Sequence, residues 1–162
     1  MQITNERIAH MHGVAEWMYE HAEEYGCDNK DEMYLLGLIH DIGYLYGNKE
    51  EHEQKGAELL GLDTYYGRFV QAHGLTPQEY MDCYGCFGSE IPNEMILLWT
   101  ADMMVDLSGN VVGFKARLDD IGNRHGIDSE PYRICKETML WLENRKAIDF
   151  LSKSRGLSYC HE

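Results

Sequence analysis

At 162 residues the chain has the length of one domain, able to bury about two thirds of the surface its unfolded form exposes. Its 14 Lys and Arg stand against 28 Asp and Glu, a formal net charge of -14. That balance excludes duplex nucleic acid as a partner, because binding a phosphate backbone requires many cations, and leaves a small anionic substrate. The longest apolar run, Met95 to Ala101, is cut by Asp102 and falls far short of the roughly 20 residues that span a bilayer, so no membrane is expected. The N-terminus has no basic-then-apolar signal pattern, and the five irregularly spaced cysteines fit a reducing compartment; a cytoplasmic protein is expected. The glycines and prolines occur singly, as turns between helices, with no repeat or linker.

In chain order, helical spacing predicts a first helix whose inward stripe is Ile8, Met11, His12, Ala15, Met18, Tyr19 and Ala22, with His10, Trp17 and His21 opposite. A second helix, capped by Asp31, runs through Met33, Leu36 and Ile39 to the doublet His40-Asp41, where Gly43 permits a stop. Consecutive residues on a helix point about 100° apart, so both members of the doublet can face one site only where the helix ends. Glu50 to Leu60 carries His52, Gly56, Leu59 and Leu60 along one side. Asp63 is read as the cap of a helix with Tyr66, Phe69, Val70 and His73 at i, i+3, i+4, i+7. Gly74 to Asn93 reads as a long connection in which Tyr80, Tyr84 or Phe87 can pack or stack, and its lone Cys83-x-x-Cys86 is weak evidence for zinc or redox work. Met95, Leu98, Trp99 and Asp102 repeat the same spacing, with Asp106 one turn on; helices about Val112 to Arg124 and Glu130 to Ser152 close the chain. The expected fold is an all-α bundle of about six or seven helices, one domain over 1–162.

A lone His-Asp doublet fits a helix C-terminus in which the His satisfies a carbonyl. Here His12, His40, His52 and His73 join Asp41 and Asp102, and a buried carboxylate must be neutralised, paired or bound to metal. Imidazole and carboxylate without Cys favour Fe or Mn, with Zn or Mg as alternatives. Six ligands exceed the needs of one catalytic ion, which points to two ions sharing a carboxylate.

The ordered set His12, Leu36-Gly37-Leu38-Ile39-His40-Asp41-Ile42-Gly43, His52 before Gly56-Ala57, Gln71-Ala72-His73-Gly74 and Thr100-Ala101-Asp102-Met103 resembles the HD-domain superfamily of metal-dependent phosphohydrolases, over about residues 8 to 121. The resemblance implies that His12, His40, Asp41 and Asp102 hold one divalent ion, and that Asp41 bridges to a second held by His52 and His73. It also implies hydrolysis of a nucleotide or other small phosphate ester by a metal-activated water. Many such hydrolases carry Lys where this chain has Tyr44; with it gone, Lys49, Lys55, Arg68, Lys115 or Arg117 must meet the phosphate. The paired histidines and Gly-Tyr-Pro element of the cyclic-dinucleotide branch are missing. Alternatives are a di-iron oxygenase of the same superfamily and a binding or regulatory module with structural metals.

Overall fold

A computed structural model describes residues 3–46, 50–85 and 91–154. Among them eight α-helices occur: α1 (Asn5–His21), α2 (Lys30–Ile39), α3 (His52–Leu60), α4 (Tyr65–Ala72), α5 (Pro77–Tyr84), α6 (Asn93–Met104), α7 (Phe114–His125) and α8 (Glu130–Ser154). A short 3-10 turn at Ile42–Leu45 follows α2. The only pairing of extended backbone among the described residues is an isolated bridge between Val105 and Val111, so the all-α expectation holds. No described helix is long and apolar enough to cross a membrane.

Helix α6 is the axis of the core. Met95, Ile96, Leu97, Leu98, Trp99, Thr100, Ala101 and Met103 are all buried, the all-round burial of a helix surrounded by others. It packs against α1, α2, α7 and α8, while α3 and α4 form a pair beside them. The Trp99 indole N–H donates to the His73 carbonyl at 3.1 Å, which pins the end of α4 to α6.

Caps set the element boundaries. Thr4 accepts from Arg7 N–H to open α1. Asn29, not Asp31, caps α2, and Thr64, not Asp63, caps α4; in each case a neighbouring side chain of the same accepting type reaches the backbone N–H groups. The expected long connection contains α5, which opens on a capping box between Thr76 and Glu79 with Pro77 in the first turn. The Thr-Pro-Gln-Glu stretch is the signature of that motif.

Glu79 also accepts from Arg133 on α8 at 2.7 Å. The Thr76 backbone N–H and the Arg133 guanidinium hold its carboxyl below the ordinary value, against a smaller opposing effect of burial. A depressed carboxyl contributes stability that is present above its unfolded pKa and lost as pH falls through the folded one. Glu79→Ala is therefore expected to lower stability at neutral pH by up to about 1 kcal/mol, the pair being partly exposed, and to flatten acid unfolding below about pH 4.5. Urea melts of both proteins from pH 7 to pH 3 check this; equal losses at both pH values would contradict it.

Two close approaches place the site. A Cβ on Gly43 would lie 1.7 Å from the His52 carbonyl oxygen and 2.6 Å from Gly56 N, so the bare turn after the doublet lets α3 start directly against it. Because those neighbours are backbone, Gly43→Ala is expected to displace α3 and cost at least about 1–3 kcal/mol. A melting temperature within a degree of wild type would contradict this. On α1, a Cβ on Gly13 would meet the Gly109 carbonyl at 2.6 Å and Val105 at 2.7 Å, so the loop after α6 docks on the helix beside His10.

Candidate metal centre

Four imidazoles form a chain of edge-on rings, His10 to His40 to His73 to His52, with successive centroids 5.4, 5.3 and 5.3 Å apart. His10, His40, His52 and His73 are buried together with Asp41, and Asp102 lies at the edge of the cluster.

The backbone orients three of these rings. His40 and His73 are the C-cap residues of α2 and α4, where the last carbonyls of a helix lack N–H partners. Each ring meets the need three residues back, with Nδ1 2.6 Å from the Gly37 and Val70 carbonyls respectively. The Nδ1 of His10 lies 3.1 Å from the Asp106 carbonyl. A carbonyl only accepts, so in all three rings Nδ1 carries the proton and Nε2 is the atom presented to the interior. Asp106 holds its loop by accepting from the N–H groups of Ser108 and Asn110.

The two carboxylates face those nitrogens. Asp41 Oδ1 lies 3.3 Å from His52 Nε2 and 3.4 Å from His73 Nε2. Its Oδ2 lies 3.5 Å from His40 Nε2, 4.0 Å from His10 Nε2 and 2.7 Å from Arg7 Nη1. Asp102 Oδ1 lies 2.9 Å from His10 Nε2 and 3.7 Å from His40 Nε2. His52 Nδ1 in turn sits 3.2 Å from Glu53, the carboxylate-to-imidazole support common behind metal-binding histidines.

Burial alone raises Asp41, but the His40 charge, hydrogen bonds from His52 and His73, and Arg7 outweigh it and hold the carboxyl well below the ordinary range. Asp102 behaves alike: burial raises it, while His10 and His40 bring it down well below. Burial lowers the His73 imidazole, yet the bond to Asp41 and the charges of Glu53, Asp41 and Asp102 push it up to about 9. Ionised carboxylates thus face imidazole nitrogens across gaps that only a cation, proton or metal, can bridge. His40 Nε2 is buried with no hydrogen-bond partner. An unpaired buried nitrogen is costly, and this one, aimed between two carboxylates, fits a metal ligand. Groups of potential ligand atoms within 4.8 Å of one another comprise His10, His40 and Asp102; His40, Asp41 and His73; and His52, Glu53 and His73.

Against the sequence expectations, the structure brings His40, Asp41, His52, His73 and Asp102 together and leaves His12 out. His12 is exposed and lines an apolar groove with Ile8, Leu38 and Ile42, while His10 takes the place assigned to it. The error lay in the width of the buried arc. Helix α1 is covered on two sides, by α2 at Ala15 and Gly37 and by the loop at Gly109, whereas Ile8 and Tyr19 of the chosen stripe are each 42% exposed. His10, Gly13, Val14 and Trp17, all buried, form an i, i+3, i+4, i+7 set that carried the signal.

Asp41, His52, His73 and Asp102 of the cluster line a cleft of about 170 Å³ together with Arg7, Tyr44, Arg117, Arg124 and Cys135 among others. It adjoins a larger cavity of about 630 Å³. Of the proposed phosphate-binding groups, Arg117 lines the cleft and donates to the Asp102 carbonyl at 3.4 Å and to Asp120 at 3.3 Å. Lys115 does not line it: its side chain is 90% exposed and pairs with Asp119, because it lies two residues before Arg117 and points elsewhere on α7. Lys55 pairs with Glu58, Arg68 is exposed, and Lys49 lies outside the described residues, as do Phe87 and Cys86 of the Cys-x-x-Cys pair. Tyr44 lines the cleft, stacked on His52 at 4.3 Å, with Arg7 laid on its ring at 4.2 Å. Nothing in the local sequence around Arg7 marks it as a cleft residue.

An all-α protein with buried histidines and carboxylates turned toward one another fits a metal-binding helical domain. Residues 7–70 match the family model of the HD domain. The match includes His10, the His40-Asp41 doublet and His52; His73 and Asp102 lie beyond it and join the cluster through the fold. No curated protein and no solved structure matches the chain.

Proposed function

We propose that the protein is a metal-dependent phosphohydrolase acting on a nucleotide or another small phosphate ester. The observation that carries the reading is the orphaned His40 Nε2, set among imidazoles whose Nδ1 atoms are already committed to carbonyls and beside two carboxylates. In this reading His10, His40, Asp41 and Asp102 would hold one divalent ion, and Asp41, His52 and His73 a second. Nitrogen and oxygen donors without thiolate favour Fe or Mn. When bound, such ions supply Lewis acidity and a water of lowered pKa for attack on phosphorus.

Within hydrolysis, the remaining groups favour direct attack by water over a covalent intermediate. Burial pushes the Cys135 thiol up to about 12, so it stays neutral and is a poor nucleophile. Tyr44 is likewise raised to about 12, chiefly by burial, and keeps its phenolic proton. Glu53 fixes the His52 ring, and Arg117, itself anchored to Asp120, lines the cleft beside Asp102.

Protein purified without oxygen and assayed on a panel of nucleotides and sugar phosphates is expected to release phosphate without consuming O₂, and a chelator should abolish the rate. Turnover that requires O₂ and reduced iron would replace the hydrolase with the di-iron oxygenase. Metal-loaded protein inactive on both panels would leave a binding module.

A further inference from the structure

We propose that Arg7, held over the Tyr44 ring, is the anion anchor of the cleft, the guanidinium that grips the phosphoryl oxygens of the substrate beside the His/Asp cluster. The proposal rests on the hydrolase reading only in taking the ligand to be a phosphate ester.

Arg7 stands on the first turn of α1, three residues before His10, and its side chain is 18% exposed while lining the cleft with Asp41 and Tyr44. Asp41 engages Nη1, which leaves most of the five N–H donors of the fork for other acceptors. The Tyr44 ring at 4.2 Å and Asp41 at 2.7 Å hold the guanidinium at two points, so a contact to phosphate needs little further ordering. The other cleft arginines are committed to carboxylates: Arg117 and Arg124 both bind Asp120.

Charge balance gives the anchor its ligand. Arg7 and the imidazoles now share the negative charge of Asp41. Two divalent ions would bring four positive charges to two carboxylates, so the loaded cluster no longer needs Arg7 as a counter-ion. A guanidinium kept there in a narrow cleft favours an anion.

The test is calorimetric titration of inorganic phosphate into Mn-loaded protein, with metal content measured on each sample. Arg7→Met is expected to weaken phosphate binding by roughly 10- to 100-fold, the range for a hydrogen bond to a charged group, with metal content unchanged. Arg7→Lys should restore part of the loss, keeping the charge without the planar fork. Tyr44→Leu should weaken binding by about 3- to 10-fold through loss of the cation–π platform, and Tyr44→Phe should match wild type. Wild-type phosphate affinity in Arg7→Met overturns the anchor, as does metal-loaded wild type that binds no phosphate. Loss of metal in both Arg7→Met and Arg7→Lys also overturns it, because Arg7 would then serve to hold Asp41. Wild-type protein that takes up no metal contradicts the hydrolase reading separately, and it is seen before any variant is compared.

Discussion

Asp41→Ala is expected to strip the cluster of both ions and to lower turnover by about three orders of magnitude or more, at the upper end for loss of a principal electrostatic group in an active site. Both oxygens of this side chain are in use: Oδ1 faces His52 and His73 and Oδ2 faces His40 and His10. His52→Ala and His73→Ala remove ligands on the Oδ1 side alone and should each lose one ion while retaining the other. Metal content and rate across the three variants separate the roles, with helicity measured alongside. Asp41→Asn, which keeps the shape, guards against a result that reports only misfolding. Two retained ions and normal turnover in Asp41→Asn would contradict the shared role.

His10→Ala is expected to weaken binding of the ion on the Asp102 side by more than about 100-fold, since even partners behind a metal ligand are worth 10- to 100-fold. His12→Ala, two residues along the same helix, should leave metal content, turnover and stability close to wild type, within about 0.5 kcal/mol. The pair forms an internal control. His10 Nε2 is 2.9 Å from Asp102 and fully buried, whereas His12 is exposed. Metal loss in His12→Ala with a normal His10→Ala would reverse the assignment.

The doublet was legible in the sequence for a physical reason that the structure makes concrete. Two consecutive side chains reach one site only where the helix ends, and His40 caps α2 while Asp41 leaves helical geometry at φ -101°, ψ 14°. The simpler reading, a histidine satisfying a helix-end carbonyl, is also true of His40: Nδ1 does that work and leaves Nε2 inward. His73 repeats the arrangement at the end of α4, which is why its periodicity pointed correctly. The choice of His12 failed because a single-stripe reading assumes one covered face, and α1 is covered on two. Arg7 was not legible because its role depends on Asp41 and Tyr44, more than thirty residues away in sequence, and on a first turn whose residues usually face solvent. The α5 helix was missed, although its Thr-Pro-Gln-Glu cap carried the signal, because the glycines and aromatics around it read as a connection.

The most direct test of the metal centre is to locate and identify its ions. A crystal of anaerobically purified protein, measured above and below the Fe and Mn absorption edges, is expected to show two anomalous peaks, one among His10, His40, Asp41 and Asp102 and the other among Asp41, His52 and His73. A fully loaded crystal with a single ion bound away from His52 and His73 would contradict the dinuclear reading. A cluster that stays free of metal after loading with Fe, Mn, Zn and Mg, its nitrogens and carboxylates joined by protons alone, would contradict the metal centre itself.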